Sequence, residues 1–150
     1  MIPGFKLKAI VCPTDFSEEA SKAVQFAAGI AGLDPECVLY LLHVVKPVYV
    51  PVGDISGASE IIVEKNDREI RNSRERLERL ASEFRKDGIQ THVSVKTGDP
   101  VISILGFAEE YKADMIVMGN RKHGFKKGIL LGSVSERVSA NSPVSVLIVR

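Results

Sequence analysis

The chain has 150 residues, 45% of them hydrophobic, which suits one globular domain over residues 1–150 with a proper core. A formal net charge of +1 and a pI near 7.8 give no global electrostatic case for nucleic-acid binding, which usually calls for a strongly basic face, so any basic site must be local. No stretch approaches the roughly 20 apolar residues of a membrane span, and the N-terminal MIPGFKLKAIVCP is too short an apolar run for a signal peptide; the expectation is a cytoplasmic protein with no membrane partner.

Lys8 to Cys12 (KAIVC) predicts a short buried strand ended by Pro13, and Ser17 followed by Glu18 and Glu19 predicts a helix start favoured by the helix dipole. Ala20, Ala23, Val24, Ala27 and Ala31 then recur at helical spacing on a small-faced helix fit to pack closely on a sheet. Val38 to Val45 (VLYLLHVV) is a nearly continuous apolar run, as a strand covered on both faces would be. Lys46 to Ser59, with two prolines and two glycines, reads as a loop.

A long charged helix is expected from about Glu60 to Lys86, with Val63, Ile70, Leu77 and Phe84 seven apart. Glu64 with Arg68, Asp67 with Arg71 and Glu75 with Arg79 stand as acid-before-base pairs. Asn66 and Ser73 interrupt the seam a coiled coil would need, which favours a solvated face over a partner zipper. Gly88 ends this helix; Ile89, Thr91, Val93 and Val95 alternate with polar residues, which suits an edge strand. Asp99 or Pro100 starts a helix, Asp114 to Met118 forms a strand, Ser133 starts a helix, and Val144 to Val149 (VSVLIV) is the final strand.

Cys12 and Cys37 lie at opposite ends of neighbouring predicted strands, on the order of 15 Å apart, whereas a disulfide needs Cα atoms within about 7 Å. Both read as reduced, buried thiols. The three histidines, His43, His92 and His123, are scattered and show no metal-ligand spacing; His43 reads as a core histidine rather than a base.

The stretch Gly119 to Ser133, GNRKHGFKKGILLGS, carries the unusual local chemistry. It runs from a strand through a basic loop into a helix start, an arrangement that turns backbone N–H groups and the positive end of a helix dipole toward an anion, phosphate above all. Ser133 and Glu136 have capping-box spacing, Arg121, Lys122, Lys126 and Lys127 add positive charge, and no acid intervenes. On these residues alone the loop serves equally as an anion site or as a solvated connection. A P-loop is excluded, since Phe125 follows Gly124 where lysine is required.

Five strands alternating with four helices predict an α/β fold: an open five-stranded parallel sheet with helices on both faces, Rossmann-like. Ligands in such sheets bind beyond the strand carboxyl ends, where the strand order reverses. Pro13-Thr14-Asp15 and the Gly119 loop would meet there if the strands bearing them are neighbours.

PTDFSEEA from Pro13, LLHVV from Leu41, GDP from Gly98, DMIVMG from Asp114, and LLGSVSERV through PVSVLIV together resemble the universal stress protein family over nearly the whole chain. The nucleotide-binding branch carries Gly, two residues, Gly, nine residues, Gly, then Ser or Thr. Gly119, Gly132 and Ser133 match, whereas Lys122 stands in place of the second glycine. The resemblance implies the adenine nucleotide alpha hydrolase-like fold with the first and fourth strands adjacent, a cytoplasmic homodimer and, in one branch, bound ATP. Asp15, flanked by Pro13 and Thr14, would hold the ribose hydroxyls, and Val44 would meet adenine through its main chain. Gly119, Gly132, Ser133 and Val134 would line the phosphates, with Met118, Arg121 and Lys122 beside them. Mg or Mn would ride on the triphosphate rather than on protein ligands. Lys122 would either crowd the loop or contact the phosphates directly.

The leading expectation is an ATP-binding stress-response sensor or regulator, homodimeric through Val144 to Val149. The alternatives are an interaction module of the same fold without nucleotide, and a slow ATP hydrolase. No catalytic residue is assigned, because the capping role of Glu136 accounts for the one carboxylate near the loop.

Overall fold

The computed structural model describes residues 4–53, 59–64, 66–120 and 133–150. Strand β1 (Ala9–Pro13) leads to helix α1 (Glu18–Ala31) and strand β2 (Val38–Val45). Strands β3 (Val48–Gly53) and β4 (Ser59–Glu64) precede helix α2 (Asp67–Lys86), strand β5 (Gln90–Thr97) and helix α3 (Pro100–Glu110). Strand β6 (Met115–Gly119), helix α4 (Val134–Asn141) and strand β7 (Ser145–Val149) complete the order.

The main sheet has five strands in the order β5-β2-β1-β6-β7, all pairs parallel. The chain winds outward from β1 to β2 and β5, then returns to β6 and β7 on the other side, so the order reverses between β1 and β6. As expected, β5 and β7 are the edges, and the two strands whose tips carry the sequence motifs are neighbours.

Alternation along the strands sorts the core into two layers. Ile10, Cys12, Leu39 and Leu41 pack with Ala23, Val24 and Ala27 of α1 and with Leu77, Ala81 and Phe84 of α2. On the opposite face Val11, Leu42, Ile116 and Met118 pack with Val101, Ile104 and Phe107 of α3 and Val138 of α4. The small residues of α1 are what let its axis approach the sheet. Both cysteines are free and buried.

Each crossover helix is capped as its sequence dictates. Ser17 accepts from the Ala20 amide at 3.2 Å, Asp99 from Ile102 at 2.9 Å, and Ser133 from Glu136 at 3.3 Å. Gly88 takes φ of +80° just past α2, a left-handed stop that favours glycine. At the amino ends of the strands the Asp114 carboxylate accepts from the amides of Lys8 (2.7 Å) and Ala9 (3.0 Å), fixing the start of β1 against the start of β6.

Two expectations fail between β2 and α2. The segment read as a loop holds β3, which forms an antiparallel hairpin with β4, most of it from the segment read as helix: Val48 pairs with Glu64 and Gly53 with Ser59. The helix expected from Glu60 begins only at Asp67. The β-branched run Ile61-Ile62-Val63 favours a strand, and Asn66 supplies the cap, accepting from the Glu69 amide at 3.1 Å. Val63 and Glu64 therefore stand outside the helix, so Glu64 and Arg68 are not an i,i+4 pair of α2. Among the described residues the ion pairs within α2 are Arg85–Glu78 and Lys86–Glu83. The buried stripe runs through Ser73, Leu77, Ala81 and Phe84.

Candidate functional site

A cleft opens beyond the carboxyl ends of β1, β2 and β6, at the point where the strand order reverses. The tip of β1 brings Pro13, Thr14 and Asp15, the end of β2 brings Val44, the end of β6 brings Met118 and Gly119, and the start of α4 brings Val134. These seven sequence-predicted residues share one cavity. Ser133 is the N-cap of α4, with its hydroxyl engaged by the Glu136 amide and 3.1 Å from the Ser135 hydroxyl. Arg121, Lys122 and Gly132, with Gly124, Lys126 and Lys127, lie outside the described residues.

The turn from β1 into α1 is tied at successive residues. The Thr14 amide extends the sheet ladder by donating to the Leu42 carbonyl at 2.8 Å. The Thr14 hydroxyl accepts from the Phe16 amide at 3.0 Å, and the Asp15 carboxylate accepts from the Ser17 amide at 2.9 Å. Asp15 thus shapes its own turn, as short polar side chains do, while standing exposed at the cleft mouth. His43 lies 2.7 Å from the Thr14 carbonyl through Nδ1. A carbonyl only accepts, so Nδ1 carries the proton and Nε2 is left as an acceptor when the ring is neutral.

Gly119 has a packing reason to be glycine. A Cβ there would stand 2.6 Å from the Glu19 carbonyl oxygen, closer than real side chains come, because the end of β6 presses on the first turn of α1. The amino ends of α1 and α4 both reach the cleft. The two ends differ in charge: Glu18 and Glu19 occupy the first turn of α1, Glu136 alone that of α4.

Sequence reasoning missed several lining residues. Pro100 and Ile104 reach the cleft from α3, Lys46 from the residue after β2, and Glu19 from α1. Their signal was topological: Val45 pairs with Thr97 and its carbonyl accepts from the Gly98 amide at 3.0 Å, which sets the start of α3 beside the end of β2. Val44, Ile104, Met118 and Val134 give apolar walls fit for a flat ring, Asp15 an acceptor fit for a diol, and the α4 start amide donors fit for an anion. Among the described residues no group of three or more His, Cys, Asp or Glu side chains is arranged to hold a metal ion, and no helix is long and apolar enough to cross a membrane.

Comparison with known proteins agrees with this geometry. The universal stress protein family pattern matches residues 6–150. Universal stress protein MJ0531 of Methanocaldococcus jannaschii is 36% identical over 145 residues, covering 95% of this chain and 82% of the relative. Universal stress protein YxiE of Bacillus subtilis is 32% identical over 141 residues, covering 91% and 94%. Among solved structures, the universal stress protein UspA of Lactobacillus plantarum superposes with a TM-score of 0.76 at 18% identity over 97% of this chain and 99% of its own. With the family pattern running through the switch-point cleft and on to the final strand, the chain belongs to the universal stress protein family.

Proposed function

We propose that this protein is an ATP-binding universal stress protein, a cytoplasmic sensor or regulator that works as a homodimer. The observation that carries the reading is the convergence of Asp15, Val44, Gly119 and the α4 start on one cleft at the sheet reversal. Asp15 would meet the ribose hydroxyls, the Val44 backbone and apolar walls the adenine, and the α4 start with Ser133 the phosphates. Magnesium or manganese would be carried by the triphosphate. Solved structures of the same fold hold cAMP in one case (24% identity, TM-score 0.74) and dAMP in an Archaeoglobus fulgidus protein (24%, 0.66). Lys122, at the motif's second glycine, would contribute a charge contact to the phosphates.

A second reading, an interaction module without nucleotide, is favoured by a specific observation. Asp15 caps a turn, Gly119 makes room for Glu19, and Ser133 caps α4, so each has a structural task that needs no ligand. Mass spectrometry of nucleotide released from the purified, denatured protein decides between them. About one adenine nucleotide per chain is expected. None recovered, with no thermal shift on adding ATP and magnesium, would overturn the nucleotide reading and favour the interaction module.

A further inference from the structure

Phe16 is one of two non-glycine residues with positive φ among the described residues, at 64°. For a bulky side chain this conformation is strained and persists only where the surroundings over-determine it. Two rings of contact do so. The Arg76 guanidinium, from α2, lies 4.0 Å from the centroid of the Phe16 ring, and the His43 ring, from β2, lies at 4.8 Å. His43 also donates to the Thr14 carbonyl, and the Thr14 hydroxyl accepts from the Phe16 amide. Asp15 therefore sits between two residues that are each held by a different element.

Arg76 does not line the cleft described above, but it lines an adjoining cavity with Asp15, Phe16 and His43. Among the described residues it forms no ion pair, and its guanidinium lies over the face of Phe16. We propose that Arg76 is a positioning residue: by holding the strained Phe16 ring against His43, it fixes the Asp15 carboxylate in the orientation that meets a ribose diol. The long helix α2 is thereby coupled to ligand binding through a single aromatic ring. This rests on the nucleotide reading above for its ligand, although the positioning of Asp15 can be measured without one.

Titrations of ATP and 2′,3′-dideoxy-ATP into wild type, Arg76→Ala, Asp15→Ala and the double variant test it. Arg76→Ala should weaken ATP about tenfold, the scale of one hydrogen bond to a charged group, leave the dideoxy nucleotide unchanged, and add nothing in the Asp15→Ala background. Arg76→Lys, which keeps a cation over the ring, should recover part of the loss. Equal loss for both nucleotides, or additive loss in the double variant, would overturn the proposal. Without nucleotide, the Ser17 amide, which donates to Asp15, should exchange faster in Arg76→Ala and in Phe16→Gly while their thermal midpoints confirm folding. If the wild type binds no adenine nucleotide, the nucleotide reading fails and the Ser17 amide alone decides: unchanged exchange in Arg76→Ala sinks the positioning role.

Discussion

The carbonyl oxygen of Glu19 occupies the space where a side chain on Gly119 would begin, 2.6 Å from the ideal Cβ position. The carbonyl carbon of Glu19 and the amide nitrogen of Ala20 stand at 2.8 and 3.0 Å, so the obstruction is backbone rather than a side chain that could swing away. Gly119→Ala should therefore push β6 from the first turn of α1, at about 1–3 kcal/mol of stability, the usual range for overpacking. A chemical-denaturation midpoint equal to wild type would show that the turn yields freely.

Asp15 has both a turn to hold and, in the proposed function, a ribose to bind, and two substitutions separate the tasks. Asp15→Asn keeps an oxygen that can accept from the Ser17 amide and loses only the charge; Asp15→Ala loses both. Calorimetry should show ATP weakened by roughly 1.5–3 kcal/mol in Asp15→Ala, the range for a hydrogen bond to a charged group, and by less in Asp15→Asn. Only Asp15→Ala should loosen the turn. Wild-type affinity in both variants would remove Asp15 from the site.

Most of the main sheet was legible because its strands are short apolar runs set between local stop and start signals: Pro13 at the end of β1, Gly88 just past α2, and the caps Asp99 and Ser133 of α3 and α4. The hairpin was not, because Pro51 and Gly53 read as loop punctuation while the cross-strand pairs that make them a ribbon, such as Pro51 with Ile61, are invisible locally. The seven-residue spacing from Val63 to Ile70 extended the helix too far, although Asn66 with Glu69 carried the true start signal. In the cleft, Asp15 and Gly119 were found from the strand tips and the sheet topology, and Val44 and Val134 through the family resemblance. Lys46, Pro100 and Ile104 were not, because the β2–β5 register, rather than any pattern of their own, brings them there.

Burial pushes the Cys12 thiol up from 9.0 to about 12. Below pH 9 the thiol is protonated in both folded and unfolded chains, and its contribution to stability is complete. Between pH 9 and 12 the unfolded thiol ionises and the folded one does not, so stability falls as pH rises toward the folded value. Cys37, raised by burial and then by Asp34 and Asp114, acts in the same direction. Urea midpoints of wild type and Cys12→Ala across this window should converge as pH rises, because the variant lacks one alkaline penalty. Parallel curves would mean that the buried thiol titrates like an exposed one.

Strand β7 is paired with β6 on one side and is the edge of the sheet. Val146 and Ile148 pack on one core layer, Leu147 and Val149 on the other, yet all four remain only partly buried. Apolar side chains on both faces of an edge strand, together with its outward backbone groups, favour pairing with another strand. Two-fold pairing of β7 with its own copy would close the assembly without leaving a new edge there. Light scattering at micromolar concentration should then report twice the 16.4 kDa chain mass. Hydrogen exchange adds a local reading: the outward amides of Ser145 to Val149 should be protected at high protein concentration and exposed on dilution, while those of β6, paired on both sides, stay protected throughout. A lone 16.4 kDa species, or β7 protection independent of concentration, would show that β7 does not form the dimer.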